Sequence, residues 1–154
     1  MAHPLGMSDE LYQVVRLLAA YALALPVGWY REREAHSVGI RTFPLAAMAS
    51  CGYVLLATTM DPASQSRVIQ GLVAGIGFIG GGAILKTDNN VHGTATAASI
   101  WTTGALGAAV AQEKYLLAVT LAAVNLFTLR VVLPWKQRKE AQNEIQENPT
   151  GPRL

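Results

Sequence analysis

Five stretches of this sequence, Tyr12–Tyr30, Phe43–Met60, Val68–Leu85, Ala95–Ala111 and Tyr115–Pro134, are 17 to 20 residues long and contain no Asp or Glu. Each is about long enough to cross a bilayer as a helix, since a rise of about 1.5 Å per residue covers about 30 Å of hydrocarbon in about 20 residues. A surface helix of a soluble domain needs a polar face, and long apolar runs leave little room for one. Charged residues make up 14% of the chain, against the roughly 25% usual in soluble domains, and they gather between the runs. The expected fold is therefore all-α: a polytopic bundle of five transmembrane helices over residues 1–135. A polar, partly disordered cytoplasmic tail is expected over residues 136–154.

The punctuation agrees with this division. Pro44 suits a first helical turn, Asp61-Pro62 ends the second run, and Gln112–Lys114 is short enough to force an antiparallel hairpin. Arg16 can snorkel from near a helix end, and neighbouring helices can accommodate Pro26. Placing the loop after the first run in the cytoplasm puts nine of the twelve Lys and Arg on that side, leaving Arg16, Arg67 and Lys114 opposite. That bias sets the N-terminus outside and the C-terminus inside. Trp29, Tyr30, Tyr115 and Trp135 stand at run ends, where interfacial aromatics belong. The first run lacks the basic n-region of a signal peptide, since Asp9 and Glu10 precede it and no Lys or Arg comes before Arg16; it reads as a retained helix.

The third run holds Gly71, Gly75, Gly77, Gly80, Gly81 and Gly82. Gly75 to Gly80 matches a dinucleotide-binding fingerprint in form, but that site needs a preceding strand and an acid about 20 residues on, and residues 95–100 supply none. Helix packing is the better reading, because small residues let backbones approach closely in lipid. Ser99, Thr103 and Gly107 offer a matching face on the fourth run, so the third and fourth helices are expected to pack tightly. Gly80-Gly81-Gly82 can also break the helix. Thr96, Ser99 and Thr103 share one face, as do Asn125 and Thr128; interhelical hydrogen bonds are favoured there over a polar permeation path. The single cysteine, Cys51, reads as a small buried apolar residue.

What the runs lack narrows the function. Proton relays and cation pathways place ionisable groups at depth, and here the carboxylates stand only at run ends. Glu32, Glu34 and Asp88 are weak candidates for a magnesium site at the cytoplasmic mouth, with solvated loop charges the simpler reading. His36 and His92 fall in cytoplasmic loops and titrate near neutrality, but no third ligand supports zinc. No nucleophile has an evident base, so an enzyme is not expected, and no cofactor is implied. A net charge of +2 with scattered basic residues excludes nucleic acid as an obvious partner.

Several ordered motifs are similar to those of the MgtC/SapB bacterial membrane protein family. Gly28-Trp29-Tyr30-Arg31-Glu32 resembles its G-L-E-R-E, and Gly39-Ile40-Arg41-Thr42 its G-L-R-T-H. Gly75 to Gly82 resembles S-G-I-G-F-L-G-A-G, and Val91-His92-Gly93-Thr94-Ala95-Thr96-Ala97-Ala98 with Trp101 resembles V-R-G-L-T-T-A-A-x-L-W. Tyr30, Phe43, Gly71 and His92 depart from the usual Glu, His, Gln and Arg. Many relatives carry a soluble C-terminal domain, where this sequence has a short tail.

The resemblance implies a multi-pass protein of the bacterial cytoplasmic (inner) membrane, tied to growth under magnesium limitation and, in pathogens, survival in macrophages. It also implies a non-enzymatic modulator of membrane partners, the F-type ATP synthase among them. On that view Arg31, Glu32, Gly39, Arg41, Thr42, Gly93, Thr94 and Thr96 are family-motif positions in cytoplasmic loops, and the glycine-rich third helix is the partner surface. The competing expectations are a small divalent-cation transporter or channel and a purely structural homo-oligomer.

Overall fold

The computed structural model describes residues 8–35, 39–87 and 90–132. The chain is mostly helical, with α1 (Asp9–Ala35), α2 (Thr42–Ala57), α3 (Pro62–Gly81), α4 (Thr94–Ala111) and α5 (Tyr115–Phe127), and a π-helical turn, Thr128–Val132, continues α5. Local chemistry sets these ends. Pro62 occupies the start of α3, where its missing N–H costs nothing, and the Asp61 carboxylate accepts from the N–H of Ala63 at 3.0 Å and of Ser64 at 3.1 Å. The Ser64 bonds hold the exposed Asp61 carboxyl below its usual pKa, since hydrogen bonds to the charged form favour it.

The turn from α4 to α5 is a Schellman motif. Lys114 N–H donates to Ala109 O (2.9 Å) and Glu113 N–H to Val110 O (3.0 Å), which satisfies two orphan carbonyls of α4. Glu113 takes the left-handed position, φ 59°, where glycine or asparagine is usual.

Two sequence expectations change here. The third run predicts a helix to Leu85, but α3 stops at Gly81 and Leu85 begins a short strand. That strand, β1 (Leu85–Thr87), pairs antiparallel with β2 (Asn90–His92) in the register Leu85↔His92, Lys86↔Val91 and Thr87↔Asn90. Three consecutive glycines favour an ending; Gly82 closes it without a left-handed conformation, φ −62°. The helical part of the fifth run is α-helical only to Phe127. The expected tail, 136–154, lies outside the described residues.

Helix α4 sits at the centre and packs against α1, α2, α3 and α5. It can do so because it is thin. Its buried positions include Gly104, Gly107, Ala109 and Ala111 as well as Ser99, Thr103, Ile100 and Leu106. A Cβ on Gly107 would lie 2.1 Å from the Ala47 carbonyl oxygen, and one on Gly104 would lie 2.9 Å from Ile76 Cγ1. Backbone therefore meets backbone where α4 crosses α2, and α3 reaches α4 by seating Ile76 against Gly104.

The expected meeting of the α3 glycines with the Ser99–Thr103–Gly107 face does not occur. Gly71, Gly75, Gly77 and Gly81 have nothing within 4 Å of a built Cβ, and only Gly80 lies against α4, 3.0 Å from Ala97 O. Ser99, Thr103 and Gly107 are taken up by α5, by α4 itself and by α2. The reason is angular: within α3 only Ile76 and Gly80 are buried, and the other glycines fall outside that face, Gly71 and Gly75 on one flank and Gly77 and Gly81 on the other.

The core has two parts, one rich in alanine and one of larger side chains, while many large apolar side chains lie outside. One cluster joins Ala20, Ala24, Ala47, Cys51, Ala109 and Ala118 with Val54, Leu55, Leu106 and Val110; a second joins Val27, Phe43, Ile76, Ile100 and Leu129. Meanwhile Leu18, Tyr53, Leu56, Phe78, Leu116, Val124 and Phe127 are exposed, Phe78 at 85% and Leu116 at 83%. Among the described residues one helix, Asp9–Glu34, is long and apolar enough by itself to cross a membrane, and Thr42–Ala57 and Tyr115–Val131 are shorter apolar helices.

Two alanine substitutions separate packed from open glycines. Gly107→Ala is expected to cost about 1–3 kcal/mol, as overpacking does, and to lower the melting temperature of the purified protein in detergent. Gly71→Ala, which meets nothing, is expected to leave it unchanged or slightly raised. Equal melting temperatures for the two variants would contradict the α2–α4 crossing.

Candidate functional site

The family-motif positions collect where α1 ends, α2 begins and α4 begins, and most are helical where loops were expected: Arg31 and Glu32 belong to α1, Thr42 to α2, and Thr94 and Thr96 to α4, leaving Gly39, Arg41 and Gly93 between helices. Glu32 turns back along α1, and its Oε2 accepts the Ile40 N–H at 2.7 Å. Gly39 lies against the same turn, where a Cβ would come within 2.3 Å of Glu32 Cβ. Gly28 is matched to it, with a built Cβ 3.0 Å from Gly39 O. The Gly39 carbonyl then accepts the N–H groups of Thr42 (3.1 Å) and Phe43 (3.2 Å), starting α2. Arg41 points into the open, and Thr42 is half-buried.

Arg31 ties this corner to α4. It is 6% exposed, and its Nη2 donates to Thr96 Oγ1. Nη1 lies 3.8 Å from Glu34 Oε2, and the other Glu34 oxygen accepts from Tyr30 Oη at 2.6 Å. Arg31 Nε has no hydrogen-bond partner among the described residues. A buried guanidinium is costly unless paired, and the first turn of a helix carries a partial positive charge that opposes a cation. Glu34 offsets both penalties.

Gly93 is fixed for a separate reason. Its φ is +87°, and a Cβ would lie 1.9 Å from Ala83 O; a left-handed backbone in so close a space requires glycine. It therefore clamps the base of the β1–β2 hairpin to the start of α4. Thr94, the first residue of α4, is exposed.

A second polar layer closes the opposite end. Arg16, on α1, donates from Nη1 to Ala111 O at 2.8 Å and lies 3.3 Å from Glu113 Oε1. Its guanidinium stacks over the Tyr12 ring at 4.4 Å, and Tyr12 Oη hydrogen-bonds Tyr115 Oη at 2.7 Å. Here a cation meets the carbonyl end of α4, the favourable sense of the helix dipole. This lock was not singled out from sequence; its signal was one Arg inside an otherwise uncharged run. Fifteen residues separate Arg16 from Arg31 and fifteen separate Thr96 from Ala111, about 22 Å in each helix. Two arginines of α1 thus hold the two ends of antiparallel α4.

Between the layers the polar face of α4 is consumed by hydrogen bonds. Ser99 Oγ donates to Asn125 Oδ1, Asn125 Nδ2 donates to Ser99 O at 3.2 Å, and Thr103 Oγ1 donates to Ser99 O at 2.8 Å. Thr128, expected beside Asn125, instead bonds its own helix at Val124 O, 2.8 Å. Glu32 and Glu34 are engaged as described, Asp88 and His36 lie outside the described residues, and His92 is exposed on β2. Among the described residues no three His, Cys, Asp or Glu side chains are grouped to hold a metal ion.

The motif positions are thus one connected structure, and the family model covers all of them. It matches residues 17–138. The chain belongs to the MgtC family. This MgtC-family chain is 38% identical to SrpB of Synechococcus elongatus, an alignment covering 69% of the chain and 66% of that protein. It is 34% identical to MgtC of Salmonella typhimurium, over 70% of the chain and 48% of that protein. It is 30% identical to YhiD of Escherichia coli K12, named a candidate magnesium transporter, over 77% of the chain and 59% of that protein. The chain spans about half to two thirds of the length of these relatives. No solved structure matches it.

The Arg31–Thr96 lock makes a quantitative prediction. Thr96→Val leaves the buried Arg31 Nη2 without its acceptor, Glu34 remaining the guanidinium's one partner, and is expected to destabilise by about 1–3 kcal/mol. In a double-mutant cycle with Arg31→Met, unfolding in detergent is expected to give a coupling of about 0.5–3 kcal/mol. Additivity within about 0.5 kcal/mol would show that the two side chains do not hold the helices together.

Proposed function

We propose that this chain is a multi-pass protein of the bacterial cytoplasmic membrane, its five helices crossing with the N-terminus outside and the C-terminus inside. Residues 1–135 form the membrane domain and 136–154 a cytoplasmic tail. The supporting pattern is the large apolar exterior, with Leu18, Leu56, Phe78, Leu116 and Phe127 all exposed, over an interior where alanine and glycine let helices approach closely, which suits a lipid surround. Its role is non-enzymatic: it binds and regulates another membrane protein during adaptation to magnesium limitation. The observation that carries this reading is the unpartnered arc of α3. Gly71 and Gly75 line a groove of about 600 Å³ between α2 and α3, with Ser50, Tyr53, Leu72 and Ile79; Gly77 and Gly81, on the other flank of α3, also have open space before them. A glycine arc facing lipid gains little from lipid and much from the close approach of another helix. The F-type ATP synthase is the candidate partner, and a second copy of this chain would fit the same arc.

The second reading, a divalent-cation transporter, draws on the name of the Escherichia coli relative. The internal bonds of Glu32, Glu34, Ser99 and Asn125 count against it, because each is already engaged within the fold.

Two measurements separate the readings. Tagged chain from membranes of magnesium-limited cells is expected to co-purify F-type ATP synthase subunits, and a Gly71→Leu/Gly75→Leu variant that still melts normally is expected to lose them. Reconstituted liposomes are expected to take up magnesium no faster than empty ones. Uptake above the empty control would overturn the regulatory reading in favour of transport.

A further inference from the structure

A groove of about 420 Å³ runs between the C-terminal half of α1 and the end of α5. Its composition changes along its length. Leu25 and Pro26 of α1 and Leu126 of α5 line one end; Trp29, Tyr30 and the apolar Ile40 follow, and Arg33 and Arg130 stand at the other end. From Leu25 to Arg33 is about 12 Å of helix, and from Leu126 to Arg130 about 6 Å. The two helices run parallel here, since Tyr12 meets Tyr115 at their starts and Arg130 lies over Tyr30 near their ends. The groove is thus apolar below, aromatic in the middle and cationic at the mouth.

The two guanidinium groups are held by aromatic rings, and the Glu34 carboxylate nearby is taken by Tyr30 and Arg31. Arg33 stacks over the Trp29 ring at 5.2 Å and Arg130 over the Tyr30 ring at 5.5 Å. Neither has a carboxylate or hydrogen-bond partner among the described residues. Both are exposed, unlike buried Arg31, which Thr96 and Glu34 occupy. The π-helical turn Thr128–Val132 carries Arg130, and such widened turns recur at functional sites. Arginine suits phosphate, because its planar fork of donors matches the phosphate oxygens, and stacking on an aromatic ring fixes the fork before a ligand arrives.

We propose that this groove binds one anionic diacyl phospholipid, its phosphate held between Arg33 and Arg130 and one acyl chain laid over Leu25, Pro26 and Leu126. The proposal rests on the membrane placement above, and it commits to a lipid rather than a free phosphate because the apolar floor is continuous with the charged mouth. Basic pockets between transmembrane helices on the cytoplasmic side take acidic headgroups in this way. Bound there, the lipid would join α1 to α5 on a side where the protein itself supplies few polar links, and would make the bundle sensitive to the acidic-lipid content of its membrane.

The test is native mass spectrometry of the full chain released from detergent, with phosphatidylglycerol and phosphatidylcholine of identical acyl chains added in turn. Wild-type protein is expected to retain phosphatidylglycerol at least about tenfold better, given the energy of two basic residues at an anionic surface. Arg33→Gln/Arg130→Gln is expected to abolish the preference, and Arg33→Lys/Arg130→Lys to keep part of it. Arg67→Gln, on α3, is expected to change nothing. Excess inorganic phosphate is expected to displace little lipid. Equal retention of the two lipids, a preference that survives the double glutamine variant, or full displacement by inorganic phosphate would each overturn the proposal. Incorporation of both proteins into lipid nanodiscs is scored separately: if neither incorporates, the membrane placement has failed, whereas incorporation of both without a lipid preference sinks the groove alone.

Discussion

The fold depends on a thin central helix held at both ends by arginines from one neighbour. Helix α4 touches all four other helices, and glycine lets α2 and α3 come close where they cross it. Thinness alone would leave it free to slide. The bonds from Arg31 to Thr96 and from Arg16 to Ala111 fix its axial position against α1, and the spacing of fifteen residues on both helices makes the two contacts compatible. The α4 dipole treats them differently: Arg16 gains from the carbonyl end, while Arg31 needs Glu34 beside it. Glu113 accepts a left-handed backbone at the α4–α5 turn and in that position reaches Arg16. A glycine there would relax the backbone and lose the ion pair.

Once α4 is fixed, the other helices are positioned by contacts specific to each. Gly107 admits α2 to the backbone, Gly104 receives Ile76 of α3, and the Ser99–Asn125 pair ties α5. Every polar group on the buried face of α4 has a partner, as a low-dielectric surround requires. What remains on the outside is the arc of α3 glycines and the Arg33–Arg130 groove. These two surfaces have features that packing within the chain does not use, so both readings of function start there.

Much of this could be read from the amino-acid order, for definable reasons. Helices α2 and α4 fall within a residue or a few of the expected runs because loop residues and Pro44 mark their ends. The close family match likewise rests on motifs printed in the sequence. The β1–β2 hairpin was hidden because Leu85 is apolar and continues the third run; the turn-forming residues Asp88, Asn89 and Asn90 were its available signal. Rotation of α3 was not legible either. Gly71-x-x-x-Gly75 and Gly104-x-x-Gly107 are both small-residue patterns, and nothing local says which faces a neighbour within the chain. Burial decides that, and burial depends on where Ile76 inserts. The role of Arg16 was half visible, since a lone cation in an apolar run must find an acceptor, but its acceptor, the Ala111 carbonyl, lies 95 residues away.

The central claim is that this arginine-locked bundle lies across a membrane, with the β1–β2 hairpin and the α4–α5 turn on opposite sides. Labelling of single cysteines by an impermeant maleimide in intact cells tests it most directly, in a background where the buried Cys51 is replaced by serine. Gln112→Cys is predicted to label from outside in intact cells, and Lys86→Cys only after the membrane is permeabilised. Labelling of both sites from the same side, or recovery of the unlabelled protein in the soluble fraction, would contradict the account.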